Sequence, residues 1–302
     1  LVFSSDDLKK NSYANYLDGV KVDLDKNSPV SLLMGGIVVF IGEKEGYGNF
    51  GKYFDYVLKD DKFGEDTFEK AERKILLHTI TKAIDSANMS ISNIDLIVGG
   101  DLLNQIISTS FSARELGLPY IGLYGACSTM AESLIIGATM IESKHFKNIV
   151  CATGTHFSSV ERQYRYPLEL GNQRPPVSQW TVTGAGCTIL SANNDSNMCI
   201  SMGTIGKVED YGINDVNNMG AAMAPAAMST ITTHFNNSNT KPEDYDLILT
   251  GDLGKLGSEI FLDLMEHEGY KLGNNYNDCG HMIYNNNQKT FQGGSGAGCS
   301  AL

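Results

Sequence analysis

Positive charge is scarce in this sequence. Its 302 residues carry 23 lysines and arginines against 35 aspartates and glutamates, a formal net charge of −12, and no helix face read from the sequence gathers the cations together. That balance argues against a nucleic-acid phosphate partner and leaves room for a small anionic ligand only where local cations hold it. Long apolar runs are also missing. The longest, VSLLMGGIVVFIG at 30–42, is too short to span a bilayer, and no cleavable signal architecture precedes it. The six cysteines, at 127, 151, 187, 199, 279 and 299, form no CxxC pair and find no histidine at zinc-finger spacing. Neither a metal site nor a disulfide framework is signalled, and reduced thiols in a cytoplasm fit better. The chain is expected to be soluble or peripheral, able to dock on a membrane protein.

Apolar residues make up 42% of the chain, enough for one large core or two coupled ones. Residues 1–34 read as an irregular lead-in, without sustained period. GGIVVFIG (35–42) reads as a buried strand and GEKEGYGNFG after it as a loop. DTFEKAERKILLHTITKAIDSAN (66–88) has a capping-box pattern in Asp66 and Glu69 and one apolar face through Phe68, Ala71, Ile75, Thr79 and Ala83, which predicts a helix. Strands are expected at 94–103, 120–126, 148–155 and 180–194, with helices after the first and over 128–144, the latter burying Met130, Leu134, Ala138 and Ile141. Alternation of this kind predicts an α/β fold with a parallel or mostly parallel sheet.

The chain also repeats itself. NIDLIVGGDLL (93–103) recurs as DYDLILTGDLG (244–254), so that Asp101 answers to Asp252, and GACS (125–128) has a looser echo in AGCS (297–300). Two duplicated α/β halves follow, 35–195 and 196–302, the second expected to be incomplete at its C-terminus. Asp101 and Asp252 are read as turn-formers capping the next helices rather than as calcium ligands.

LGLPYIGLYGACSTMAES places Cys127 where a strand stops and a helix starts. A helix N-terminus lowers a thiol pKa and favours a nucleophile, yet the same free N–H groups bind a carboxylate with no covalent chemistry. A buried packing role is the third reading, common for a lone cysteine. Ligands in such sheets sit outside the carboxyl ends of the strands, which favours a pocket here.

YGACSTMAESL resembles the active-cysteine segment of the thiolase and β-ketoacyl synthase superfamily. More closely, KEGYGNFGKYFD (44–55), FGEDTFEKAERKIL (63–76), GLYGACSTMAESL (122–134), RQYRYPLELGNQRPPVSQWTVTGAG (162–186) and GGSGAGCSA (293–301) look like the stage V sporulation protein AD family. The resemblance implies a thiolase-like fold, layered αβαβα, with a homodimer formed across a two-fold interface. It implies binding of pyridine-2,6-dicarboxylic acid (dipicolinic acid), free or as its calcium chelate, and assistance in its uptake into the developing spore. The partners it implies are membrane subunits of the same transport system, met at the cytoplasmic face of the spore inner membrane. No other cofactor is called for.

Condensing enzymes of that superfamily pair the cysteine with a histidine and with a second histidine or asparagine. This chain reads LTGDLG, with Thr250, Gly251 and Asp252, at the first place and GGSGAG at the second. Losing one oxyanion donor alone costs about 3–4 kcal/mol of transition-state stabilisation, so Cys127 is expected to be vestigial or a weak nucleophile. A flat aromatic dianion wants cations, N–H donors and an apolar slot. The candidate ligand-binding residues are therefore Cys127, Ser128, His156, Arg165, Tyr166, Arg174 and Trp180, with Arg165 and Arg174 as carboxylate forks. For the arginines the bland alternative is pairing with Glu161 or Glu169, and for His156 a structural hydrogen bond. Two other functional readings stand beside this one: a Cys127-dependent acyltransferase or condensing enzyme using His281, and a ligand-free scaffold whose pocket has collapsed around Met130 and Met223.

Overall fold

Three short strands open the computed structural model, which describes residues 19–25, 30–33, 36–164, 175–192, 196, 198–285, 287–288 and 296–298. They are β1 (Val20–Asp23), β2 (Val30–Leu32) and β3 (Val38–Ile41). The short helix α1 (Glu43–Gly46), β4 (Tyr56–Val57) and the long α2 (Phe68–Ser86) follow. The alternating stretch is β5 (Leu96–Asp101), α3 (Ile107–Leu116), β6 (Tyr120–Gly122), α4 (Thr129–Glu142), β7 (Asn148–Thr155) and α5 (Phe157–Tyr164). Then come β8 (Trp180–Thr181), β9 (Gly184–Ser191), β10 (Cys199–Ile200), β11 (Met202–Ile205) and α6 (Met219–Ser238). β12 (Ile248–Thr250), α7 (Gly254–His267), β13 (Tyr276–Asp278), α8 (Cys279–Met282) and β14 (Gly296–Ala297) complete the described elements.

The main sheet runs β10-β2-β9-β7-β5-β6, with β3 also on β9 and β4 on β3. β5 is parallel to both β6 and β7, as the alternating helices require. β9 departs from the expected parallel order: it is antiparallel to β2, β3 and β7, so the sheet is mixed. One face of the sheet is covered by α2 and α3, whose Ile75, Leu76, Ile80 and Ala113 meet Ile97, Val150 and Ile189. Ala138 and Ile141 of α4 cover the other, against Leu96, Val98, Ile149 and Cys151. Each such aliphatic side chain, when fully buried, contributes roughly 1.5–3 kcal/mol of transfer free energy.

Two expectations need correction. The lead-in is not irregular throughout: β1 pairs with β11 from Val20↔Ile205 to Asp23↔Met202, and β2 is held between β9 and β10. Its partners lie so far along the chain that no local period announces it. The cap of α2 is Thr67, whose side chain accepts from the Lys70 N–H at 3.3 Å, while Asp66 pairs with the Lys70 ammonium instead. The buried stripe is the expected one, with Ala71, Ile75, Thr79 and Ala83 all inaccessible.

The duplication is visible in three dimensions. A 3-10 turn at Ile91–Asn93 leads into β5, and one at Pro242–Asp244, at the same repeat offset, leads into β12. β12 lies parallel to β13, as β5 does to β6. The second half has its own core of Met228, Phe235, Leu253, Phe261 and Met265. There α6 and α7 touch backbone to backbone, since a Cβ on Gly257 would stand 2.7 Å from the Gly220 Cα. Polar side chains stitch the halves together. Asn49 Nδ2 donates to the Met282 and Tyr284 carbonyls, Gln288 Nε2 to Lys44 and Gln179 Nε2 to the Asp252 and Gly296 carbonyls.

Candidate functional site

At the carboxyl ends of β5 and β7 the chain turns away from the sheet, and the segment between β6 and α4 returns to the same place. Ala126 adopts φ = 51°, a left-handed conformation uncommon for a residue with a Cβ. It throws Cys127 into a 3-10 turn, Ala126–Ser128, that runs directly into α4. Ser128 Oγ lies within hydrogen-bond distance of the Gly125 carbonyl and the Glu132 carboxylate, and the Gly125 N–H donates to Thr129 Oγ1. Ser128 therefore braces the turn.

Cys127, half-buried, faces a cavity of about 420 Å3, within the ~300–1,000 Å3 of small-molecule sites. The pocket expected beside this thiol is open and not collapsed. Tyr124 and Tyr164, whose hydroxyls meet, form one wall with Val160, and Thr181 and Gly298 come in from beyond β7. A second set of lining residues is Ile213, Asn214, Asp215, Val216, Met219 and Ala222. The sequence reading missed this second wall. Its signal was local: Asp210 and Asp215 each accept an N–H two residues on, and Asn218 caps α6 by accepting from Ala221 N.

The other candidates separate. His156 is fully buried and lies outside the cavity wall. Its Nδ1 accepts from the Ser158 N–H at 3.1 Å and its Nε2 donates to the Asp61 carbonyl at 2.6 Å, an arrangement only the neutral ring provides. Burial holds its pKa below the ordinary histidine value. It is a structural clamp between α5 and the loop before α2, and the expectation that it reaches the pocket rim is not met. Trp180 stacks on Phe157 at 4.3 Å between centroids, with Lys44 Nζ 3.8 Å from its ring centre. It supports the site through its neighbour Thr181, which reaches the cavity while donating to Glu161. Arg165, Tyr166 and Arg174 lie outside the described residues.

Asp101 closes the inner end. Its Oδ2 accepts from the Thr109 N–H and hydroxyl, both at 2.7 Å, and its Oδ1 from the Leu103 N–H at 3.0 Å. It is the turn-former expected before α3, and burial raises its pKa despite these donors. Nearby Glu72 is pushed well above the usual carboxylate range by burial first and by Asp101 second. In the second half the N–H groups opening α7, Leu253 and Gly254, donate to Asp278, so the carboxylate that receives them comes from β13, where the sequence pointed to Asp252.

No imidazole lines the Cys127 cavity among the described residues. His281, the partner in the acyltransferase reading, lines a separate cavity with Asn49, Asn277 and Asn285. At the place of the first missing catalytic histidine, Thr250 Oγ1 donates to Asp278 Oδ2 at 2.7 Å. No group of three or more histidines, cysteines or carboxylates suited to a metal occurs among the described residues.

This geometry has relatives. The chain is similar in structure to 3-oxoacyl-[acyl-carrier-protein] synthase III from Aquifex aeolicus, at 14% identity, TM-score 0.53 and coverage of 90% of this chain and 88% of that one. It is similar to Xanthomonas campestris OleA H285N with cerulenin, at 12% identity, TM-score 0.61 and coverage of 93% and 87%. These likenesses establish a mixed α/β fold of the thiolase and β-ketoacyl synthase III type. In sequence the chain is 40% identical over 261 residues to stage V sporulation protein AD of Bacillus subtilis (strain 168), covering 86% of this chain and 77% of the relative. The profile of the Stage V sporulation protein AD (SpoVAD) family matches residues 25–302. With the thiolase-like fold, the cysteine turn and the sequence in agreement, the chain belongs to the stage V sporulation protein AD family.

Proposed function

We propose that the cavity beside Cys127 binds pyridine-2,6-dicarboxylic acid, free or as its calcium chelate, and that the protein assists uptake of this acid into the developing spore without condensation chemistry of its own. The observation that carries the reading is the cavity itself. It is open, of small-molecule size, walled mainly by tyrosine and aliphatic side chains with Asn214 and Asp215 among them, and lined by no histidine among the described residues. A planar ring fits between such walls, and the tyrosine hydroxyls offer polar contacts at its edge. The cationic complement is assigned to Arg165 and Arg174; Arg165 follows directly on Tyr164 in the chain.

Delivery would occur at the cytoplasmic face of the spore inner membrane, to membrane subunits of the same transport system. No described helix is long and apolar enough to cross a membrane, which agrees with a peripheral role. A homodimer is part of the same reading: β6 ends the main sheet and leaves Ile121 exposed, an edge suited to a second copy.

Calorimetry of the full chain with pyridine-2,6-dicarboxylate, with and without calcium, tests the proposal. Millimolar or tighter binding, lost in Ala222→Trp, which fills the cavity from an exposed position, is the expected result. Absence of binding to the folded parent would sink the reading. An adduct on Cys127 after incubation with acyl-CoA, seen by mass spectrometry, would favour the acyltransferase alternative.

A further inference from the structure

Behind Ala126 the cavity continues into a space of about 10 Å3, with Leu102, Ala126 and Gly298 lining both. That is room for about one oxygen-sized probe. Thr153 and Thr155 line it from β7. The strand's period of two puts them on the same face as Cys151, whose Sγ donates to the Ser133 carbonyl of α4.

These two threonines differ from other buried ones nearby. Thr109, Thr181 and Thr250 each give their hydroxyl to a carboxylate, of Asp101, Glu161 and Asp278, and Thr129 Oγ1 accepts from the Gly125 N–H. Thr153 and Thr155, at 4% and 1% exposure, have no hydrogen-bond partner for Oγ1 among the described residues. A buried hydroxyl left unpaired is costly, and two sharing one small space mark a place where an acceptor belongs. Gly298 keeps that space open: it has φ = +78°, and a Cβ there would stand 3.2 Å from the Thr155 Cγ2 and 3.4 Å from its Oγ1. The carboxyl of Asp101, also on this floor, already receives three donors.

We propose that Thr153 and Thr155 form the floor of the ligand site, both hydroxyls donating to one oxygen of a carboxylate whose ring occupies the larger cavity. The inference rests on the reading of that cavity as a site for an aromatic dicarboxylate. Neutral donors in a space this small accept a single sp2 oxygen carried on a narrow, flat stem and reject an ammonium group or a methyl.

The test is calorimetry with pyridine-2,6-dicarboxylate on the full-length parent and on Thr153→Val, Thr155→Val and Thr153→Ser, alongside thermal unfolding of each. Each valine variant, having lost a hydrogen bond to a charged group, should bind about ten-fold more weakly or worse. Its Tm should stay level or rise, because an unpaired hydroxyl has been replaced by a methyl. Thr153→Ser, which keeps the hydroxyl, should bind like the parent. Valine variants that match the bound parent's affinity within about two-fold overturn the floor while leaving the ligand reading standing, as would Thr153→Ser binding as weakly as Thr153→Val. A parent that does not bind the diacid overturns both.

Discussion

The Tyr284 hydroxyl donates to the Glu45 carboxylate, joining residues 239 positions apart at a fully buried contact between the two halves. Burial, opposed by that hydrogen bond, pushes Glu45 from the ordinary 4.5 up to about 7. Between those values the folded chain keeps a proton the unfolded chain has released, so stability falls as pH rises through this window and levels off above it. The loss from this group amounts to roughly 3 kcal/mol. Glu45→Gln should remove that part of the slope, and its unfolding midpoint should overtake the parent's as pH climbs from about 5 to about 8. Parallel melting curves for the two proteins would show that Glu45 carries none of the slope.

Thiol reactivity should follow the same geometry. Cys151 and Cys187 are fully buried, and burial pushes Cys151 up to about 12 and Cys187 higher still. Cys199 is exposed and Cys127 faces the open cavity. Brief treatment with iodoacetamide should therefore label Cys199 and Cys127 and spare the other two. Saturating pyridine-2,6-dicarboxylate should protect Cys127 and leave Cys199 as reactive as before. Peptide mass spectrometry reads both, and equal labelling of Cys127 with and without the diacid would place the ligand elsewhere.

Gly257 does not itself line the cavity, yet it sets where α6 runs. A side chain there must push Gly220 and the helix away, and Met219 and Ala222 at the start of that helix line the cavity. Gly257→Val is expected to cost about 1–3 kcal/mol from overpacking and to weaken diacid binding as well. Denaturant unfolding combined with calorimetry checks both, and unchanged affinity in a destabilised variant would separate the helix crossing from the site.

Asp278 accepts from Thr250 Oγ1 and from the N–H groups of Leu253, Gly254 and His281. Asp278→Ala strands all four donors in the second-half core, and a loss of about 3–5 kcal/mol is expected, enough to unfold a marginal domain. Its pKa is raised by burial even so, so Asp278→Asn, neutral and still an acceptor, should lose less than the alanine variant.

Much of this was legible because it is local. α2 announces itself by period and β7 by its extent. The cysteine turn follows from a strand giving way to a helix. The misread features depend on distance. β1 carries four residues and pairs 180 positions away, so nothing nearby reveals it. The wall from Ile213 to Ala222 reaches the cavity only through the folding of the second half. His156 was placed at the rim because it follows the strand closely. The strand ends at Thr155, and His156 turns instead to the Asp61 carbonyl and the Ser158 N–H.

The pairing of β1 with β11 has a kinetic meaning. A strand that must wait for a partner at 202–205 closes one of the longest loops in the chain, and contacts of such separation form late. On a ribosome the early strand would stay unclaimed through the synthesis of the whole first half. Its docking then dates the moment at which β11, near the start of the second half, has emerged.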